Sequence, residues 1–256
     1  MEQEEIMQKL IGLMRKAIQK YDMIQPGDRI AVGVSGGKDS VALLAGLAKL
    51  RDILDIPYEL VAITLDYGFD GVKSDFSKLE ECCKEWNVPY VVQPTEIGKI
   101  IFEIRKESNP CSLCARMRRG CLHDAAKKYN CNKIALGHHY DDAVETFVMN
   151  LFNEGRIGCF SPVTYLSRKD LTLIRPMVLA EEGLISATVR RCGLPIVKSK
   201  CPADGVTTRQ WTKEWIRMMD KEHPGLKKRL YGAMERGHVD GFTERDDGRH
   251  SNKGEE

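Results

Sequence analysis

The stretch Ile30-Ala31-Val32-Gly33-Val34-Ser35-Gly36-Gly37-Lys38-Asp39-Ser40 decides the fold. Its first five residues form a continuous apolar run, the pattern of a strand buried on both faces. A glycine-rich turn follows without a break, and Val41 to Leu50 continues as an apolar helix. Small residues at such a strand-to-helix turn expose backbone N–H groups at the positive end of the helix, and Lys38 adds a full charge. Together these suit a phosphate. The spacing is not that of a Walker A loop: after Gly33 the second glycine comes one residue early, and Lys38 precedes Asp39 where Ser or Thr would stand. A ligand-free turn is the alternative, but it would need neither two hydroxyls nor a lysine.

Working outward, Pro26-Gly27-Asp28 is a turn, and apolar residues near 6, 10, 13, 14 and 17 predict a leading helix over about 4–20. Downstream, strands are expected at Glu59–Leu65, Tyr90–Val92 and Lys133–Leu136, with helices near 74–86, 114–129 and 141–153. A short strand near Thr172–Ile174, a helix near 181–192, a strand at Pro195–Val197 and two helices within 209–236, broken at His223-Pro224-Gly225, complete the reading. Strands alternating with helices of this length predict an α/β fold: a parallel sheet with helices on both faces. The expected organisation is an N-terminal helix over 1–24, a nucleotide-binding domain with a cysteine site over 25–205, C-terminal helices over 206–238, and a polar, disordered tail over 239–256. Ligands of such sheets bind beyond the carboxyl ends of the strands. Gly137-His138-His139 would stand there beside the glycine-rich turn.

The totals restrict the function. Hydrophobic residues at 42% and charged residues at 30% describe a globular protein. A net charge of +2 provides no broad basic footprint, so nucleic acid would be met by local patches. No apolar run of about 20 residues is present and the N-terminus has no signal-peptide core, so a cytoplasmic protein with no membrane contact is expected. Nine cysteines in a reducing compartment point to metal binding or catalysis more than to disulfides. Cys111-Ser112-Leu113-Cys114 has the spacing for two thiolates on one metal. By itself it leaves open zinc (with Cys121 and Cys131), a redox pair, or an iron–sulfur site.

Ser35 to Ser40 reads SGGKDS, the signature of the PP-loop ATP pyrophosphatase family, which this chain resembles. The resemblance implies ATP and Mg²⁺: a substrate carbonyl oxygen attacks the α-phosphate and pyrophosphate departs. Ser35, Gly36, Gly37, Lys38 and Ser40 would hold the phosphates, with Asp39 serving Mg²⁺ or loop geometry. Gly137-His138-His139-Tyr140-Asp141-Asp142-Ala143-Val144-Glu145-Thr146 is similar to the GHxxDDxxET element of PP-loop enzymes acting on tRNA bases. Taken alone, its acids could simply cap a helix. By resemblance Gly137 contacts nucleotide, Asp142 is the catalytic carboxylate, and Leu65 and Asp66 line the adenosine site.

With CSLCARMRRG at 111–120 and Lys200-Cys201-Pro202, the set resembles the tRNA 2-thiocytidine synthetase family over about residues 25–235. That implies a [4Fe–4S] cluster on Cys111, Cys114 and Cys201, with one iron open for sulfur. It implies tRNA as substrate, a sulfur donor (a cysteine desulfurase-derived persulfide or hydrosulfide) and a homodimer. Arg118 would meet the phosphate or the activated base. Arg116 and Arg119 are candidates for tRNA backbone, as are Lys127, Lys128, Lys227, Lys228 and Arg229, all of which could equally be solvated. Another acceptor for the adenylate, a nucleotide sensor with a structural metal, and a desulfurising enzyme are the competing readings. Cys82, Cys83, Cys121, Cys131, Cys159 and Cys192 match no family motif.

Overall fold

The computed structural model describes residues 2–68, 75–105, 110–197 and 208–244. These fall into two compact units, one formed by 1–140 with 163–206 and the other by 141–162 with 207–256.

The first unit is built on a six-stranded sheet. Its strands are β1 (Asp28–Gly33), β2 (Tyr58–Asp66), β3 (Tyr90–Pro94), β4 (Lys133–Ala135), β5 (Val163–Leu166) and β6 (Leu171–Ile174), in the order β3-β2-β1-β4-β6-β5. All neighbours run parallel except β5, which is antiparallel to β6 at the edge. Helices α1 (Glu2–Lys20), α2 (Lys38–Leu50) and α6 (Glu182–Arg191) pack on one another, with α2 against β1. Helix α4 (Pro110–Lys128) packs against β2 and β4. Successive strand residues point to opposite faces. Ala31, Val61, Ile63 and Ile134 meet Leu122, Ala125 and Ala126 of α4, so Ile30, Val32, Leu60 and Ala62 are turned toward the opposite layer. Both sets are buried, which is why β1 and β2 read as unbroken apolar runs. Helix α3 (Ser77–Glu85) packs on β3.

The chain leaves β1 toward β2 and β3, then returns to lay β4 on the other side of β1. The carboxyl ends of β1 and β4 therefore flank the point where strand order reverses, the place an open α/β sheet binds ligands. At the opposite end of these two strands the charges are satisfied: buried Lys133 donates to Met23 O at 2.9 Å and pairs with Asp28 at 2.7 Å.

The second unit contains α5 (Tyr140–Glu154) from Asp141 onward, with α7 (Thr208–Glu222) and α8 (Leu226–Arg236). The break between α7 and α8 falls at His223-Pro224-Gly225, where Gly225 takes φ 83°.

Several details depart from the sequence reading. Leu194–Val197 is irregular, not a strand, because the Val197 N–H donates to Gly36 O at 3.0 Å and so binds the loop instead of a strand. Helix α4 begins at Pro110, a residue suited to a first turn because its missing N–H is not needed there; Cys111 is thus helical. Edge strand β5 and a π-helix at Lys99–Ile104 were not anticipated, since neither short segment carries a clean apolar period. The polar stretch from 239 also opens in order: Val239–Gly241 form a 3-10 turn and Phe242 is fully buried against Tyr231 and Phe160.

Candidate active site

In the first unit the loop after β1 is stitched by its own hydroxyls. Ser40 Oγ donates to Gly37 O at 2.9 Å and accepts from the Ser35 N–H at 3.1 Å, and the two serine hydroxyls are 3.1 Å apart. Gly37 is the N-cap of α2 and has no side chain with which to satisfy the first helical N–H groups. The positive end of α2 is thereby left for an external anion. Gly36 has φ +84°, and a Cβ there would stand 2.8 Å from Cβ of Val197. Both the backbone conformation and the space demand glycine.

Lys38 does not extend into solvent. Its Nζ lies 2.8 and 3.0 Å from the two Asp39 oxygens and 3.2 Å from Glu182 Oε1 in the first turn of α6. Burial pulls the ammonium pKa down, but Asp39 and then Glu182 outweigh it, and the pKa is raised overall. Glu182 carries no motif and was missed by the sequence reading.

The second motif begins at the carboxyl end of β4, beside this loop. A Cβ on Gly137 would stand 3.1 Å from the Asp39 carbonyl carbon and 3.2 Å from Ser40 N. The second residue after β4 thus rests on the first turn of α2, an approach that a side chain would obstruct. His139 is buried, with Nε2 3.8 Å from Asp39 Oδ1. His138 Nδ1 accepts from Arg175 Nε at 3.2 Å; Arg175 follows β6 and was not anticipated. Leu65 and Asp66 end β2, one strand from β1. Asp66 is fixed by Thr95, whose Oγ1 and N–H donate to its carbonyl at 2.9 and 2.8 Å.

Helix α4 carries Cys111, exposed, and Cys114, half-buried, three residues apart and hence on one helix face. Arg118 is exposed one turn beyond Cys114. Two adjacent, solvent-reaching thiols suit a shared soft metal or cluster. The third cysteine expected there, Cys201, lies outside the described residues. Among the described residues no group of three or more His, Cys, Asp or Glu could hold a metal, so Cys121 and Cys131 do not complete a local zinc site. Burial raises the thiol pKa of Cys82, Cys83, Cys121, Cys131 and Cys192, Cys83 to about 12. A protonated thiol is a poor ligand.

In the second unit the acids of the motif are clamped by cations. Arg209, near the start of α7, donates from Nη1 to Asp142 Oδ1 at 2.8 Å and from Nη2 to Thr146 Oγ1 at 3.2 Å. Its Nη1 also lies 3.5 Å from Glu145 Oε2. Lys227 of α8 pairs with Asp141 at 2.8 Å, so Lys227 serves this cluster and does not stand free for a nucleic-acid phosphate. Arg229 donates to the carbonyls of Pro224 and His223. Burial raises the Glu145 carboxyl to a pKa of about 7 against the pull of Arg209, with Asp142 adding to the rise.

A family model described as the PP-loop domain matches residues 4–217. The chain belongs to the PP-loop family. Among curated proteins it is similar to the tRNA-cytidine(32) 2-sulfurtransferases, and belongs with them. It is 39% identical over 235 residues to that of Syntrophotalea carbinolica, covering 91% of this chain and 90% of the relative. To that of Geotalea uraniireducens it is 40% identical over 222 residues, covering 86% and 87%. Among solved structures it resembles the U34-tRNA thiolase NcsA from Methanococcus maripaludis with its [4Fe–4S] cluster. There the TM-score is 0.74 at 24% identity, over 95% of this chain and 85% of that one, a likeness of fold. The PP-loop membership accounts for the unaltered SGGKDS loop and its place at the switch point.

Proposed function

We propose that this protein is an ATP-dependent tRNA sulfurtransferase that replaces the C2 oxygen of a cytidine, position 32, by sulfur. The observation that carries the reading is the meeting of Gly137 with the first turn of α2, which brings both motif loops to the switch point between β1 and β4. A pyrimidine carbonyl oxygen is a poor leaving group, and adenylation converts it into part of AMP, a good one. The oxygen attacks the α-phosphate, the bond to the bridging oxygen breaks, and pyrophosphate leaves.

The departing charge falls where backbone N–H groups, the serine hydroxyls and Lys38 are gathered. Ser35, Gly36, Gly37, Lys38 and Ser40 hold the phosphates. Leu65, Asp66 and Gly137 border the adenosine. Asp39 serves Mg²⁺ or loop geometry, Asp142 is the catalytic carboxylate, through Mg²⁺ or as acid and base, and Arg118 meets the phosphate or the activated base. Cys111, Cys114 and Cys201 would hold a [4Fe–4S] cluster, which when bound supplies an open iron for the incoming sulfur. The donor is a persulfide derived from a cysteine desulfurase, or hydrosulfide. The protein works in the cytoplasm as a homodimer.

Anaerobic purification with iron and sulfide analysis tests the cysteine site directly. About four irons and four sulfides per chain are expected, and Cys201→Ala should lose them while ATP binding persists. A colourless zinc protein, or a full cluster in Cys201→Ala, would overturn the ligand set.

A further inference from the structure

Lys38 is the cation of the SGGKDS loop, yet two carboxylates hold it. Asp39 is its neighbour in the motif. Glu182 is not: it comes from α6, 144 positions along the chain, and reaches Lys38 Nζ at 3.2 Å with its side chain only 18% exposed. Glutamate at the first turn of a helix is favourable by itself, because it meets the positive end of the dipole. That preference needs no partner, so it does not account for a carboxylate directed onto the loop lysine.

Lys38 thus faces two carboxylates, Asp39 and Glu182, at the place where a polyphosphate is to bind. Polyphosphate draws Lys38 toward itself and away from Glu182, and it meets whatever negative charge Glu182 leaves behind. Both effects oppose binding, and both vanish when the carboxylate becomes an amide of the same shape.

We propose that Glu182 is a positioning residue that holds Lys38 and sets the affinity of the loop for phosphate. Resting on the reading of the loop as a phosphate site, the proposal assigns Glu182 a role outside both motifs. The lysine is kept charged, by Asp39 and Glu182 together, and is released only to a ligand that outcompetes a carboxylate. Inorganic phosphate, with fewer charges and fewer donors to engage, competes less well than pyrophosphate or a nucleoside triphosphate. The latch thus favours the longer anion, and it promotes release of pyrophosphate once the product separates from the adenylate.

The test is calorimetric titration of inorganic pyrophosphate, without Mg²⁺ and at fixed ionic strength, into the wild type, Glu182→Gln and Glu182→Ala, each confirmed folded by circular dichroism. Both variants should bind pyrophosphate more tightly than wild type, by about fivefold, the scale of one partly exposed ion pair. A merely structural Glu182 would give weaker or unchanged binding, so that result overturns the proposal. If the wild type itself binds no pyrophosphate, the reading of the loop fails instead, a separate outcome.

Discussion

The loop after β1 and the acids at the start of α5 solve opposite electrostatic problems. In the first unit one cation, Lys38, is held by two carboxylates, Asp39 and Glu182. In the second, three carboxylates, Asp141, Asp142 and Glu145, are held by two cations, Arg209 and Lys227. The first arrangement rests on groups that stay partly exposed, at the positive end of α2. In the second, Glu145 is buried, which raises its carboxyl to a pKa of about 7. The second cluster draws its cationic partners from distant helices.

The contrast can be broken most severely at Lys38. Lys38→Ala removes the only cation of the SGGKDS loop, and pyrophosphate release should fall by about 10²–10³-fold while the iron and sulfide content stays that of wild type. Retained release would show that the loop does not carry the leaving charge. Next in size is Gly36→Ala, which puts a side chain at φ +84° and a Cβ 2.8 Å from Val197 Cβ. Strain and contact together should destabilise the fold by roughly 1–3 kcal/mol and abolish ATP binding, read by thermal melting and titration.

In the second unit, Arg209→Leu leaves Asp142 and Glu145 without their shared guanidinium. A loss of about 1–2 kcal/mol is expected, below the roughly 3–5 kcal/mol of a fully buried pair, since Arg209 keeps 42% of its side-chain exposure. An unchanged melting temperature would mean that the clamp is ornamental. The smallest effect is a slope. Because the Glu145 pKa is raised from 4.5 to about 7, the folded chain keeps a proton that the unfolded chain releases. Wild-type stability should therefore fall as pH climbs across that window, and Glu145→Gln should flatten the fall. Parallel curves would contradict the buried-proton account.

What the sequence disclosed follows the same division. The loop, Gly137 and the acids of the second motif are contiguous strings whose local chemistry identifies them, and the central strands show themselves as unbroken apolar runs. Glu182, Arg175 and Arg209 are single charged residues on amphipathic helices or at a strand end, indistinguishable in sequence from solvated neighbours. Their roles come from three-dimensional pairing over 37 to 144 positions. Lys227 shows the converse: it sits in a basic run that looks like a nucleic-acid contact, and the fold spends it on Asp141. The strand expected at 195–197 failed because Val197 hydrogen-bonds to Gly36 of the loop after β1, not to a neighbouring strand. Phe242 escaped notice because one aromatic in a polar stretch carries no periodic signal.

The most direct test of the central claim is to incubate anaerobically purified protein with ATP, a sulfide source and unmodified tRNA, measuring pyrophosphate and the nucleosides of the digested tRNA together. The account predicts that pyrophosphate release requires tRNA and is matched by 2-thiocytidine at position 32. Pyrophosphate released without any thiolated cytidine, or thiolation that proceeds without ATP, would contradict it.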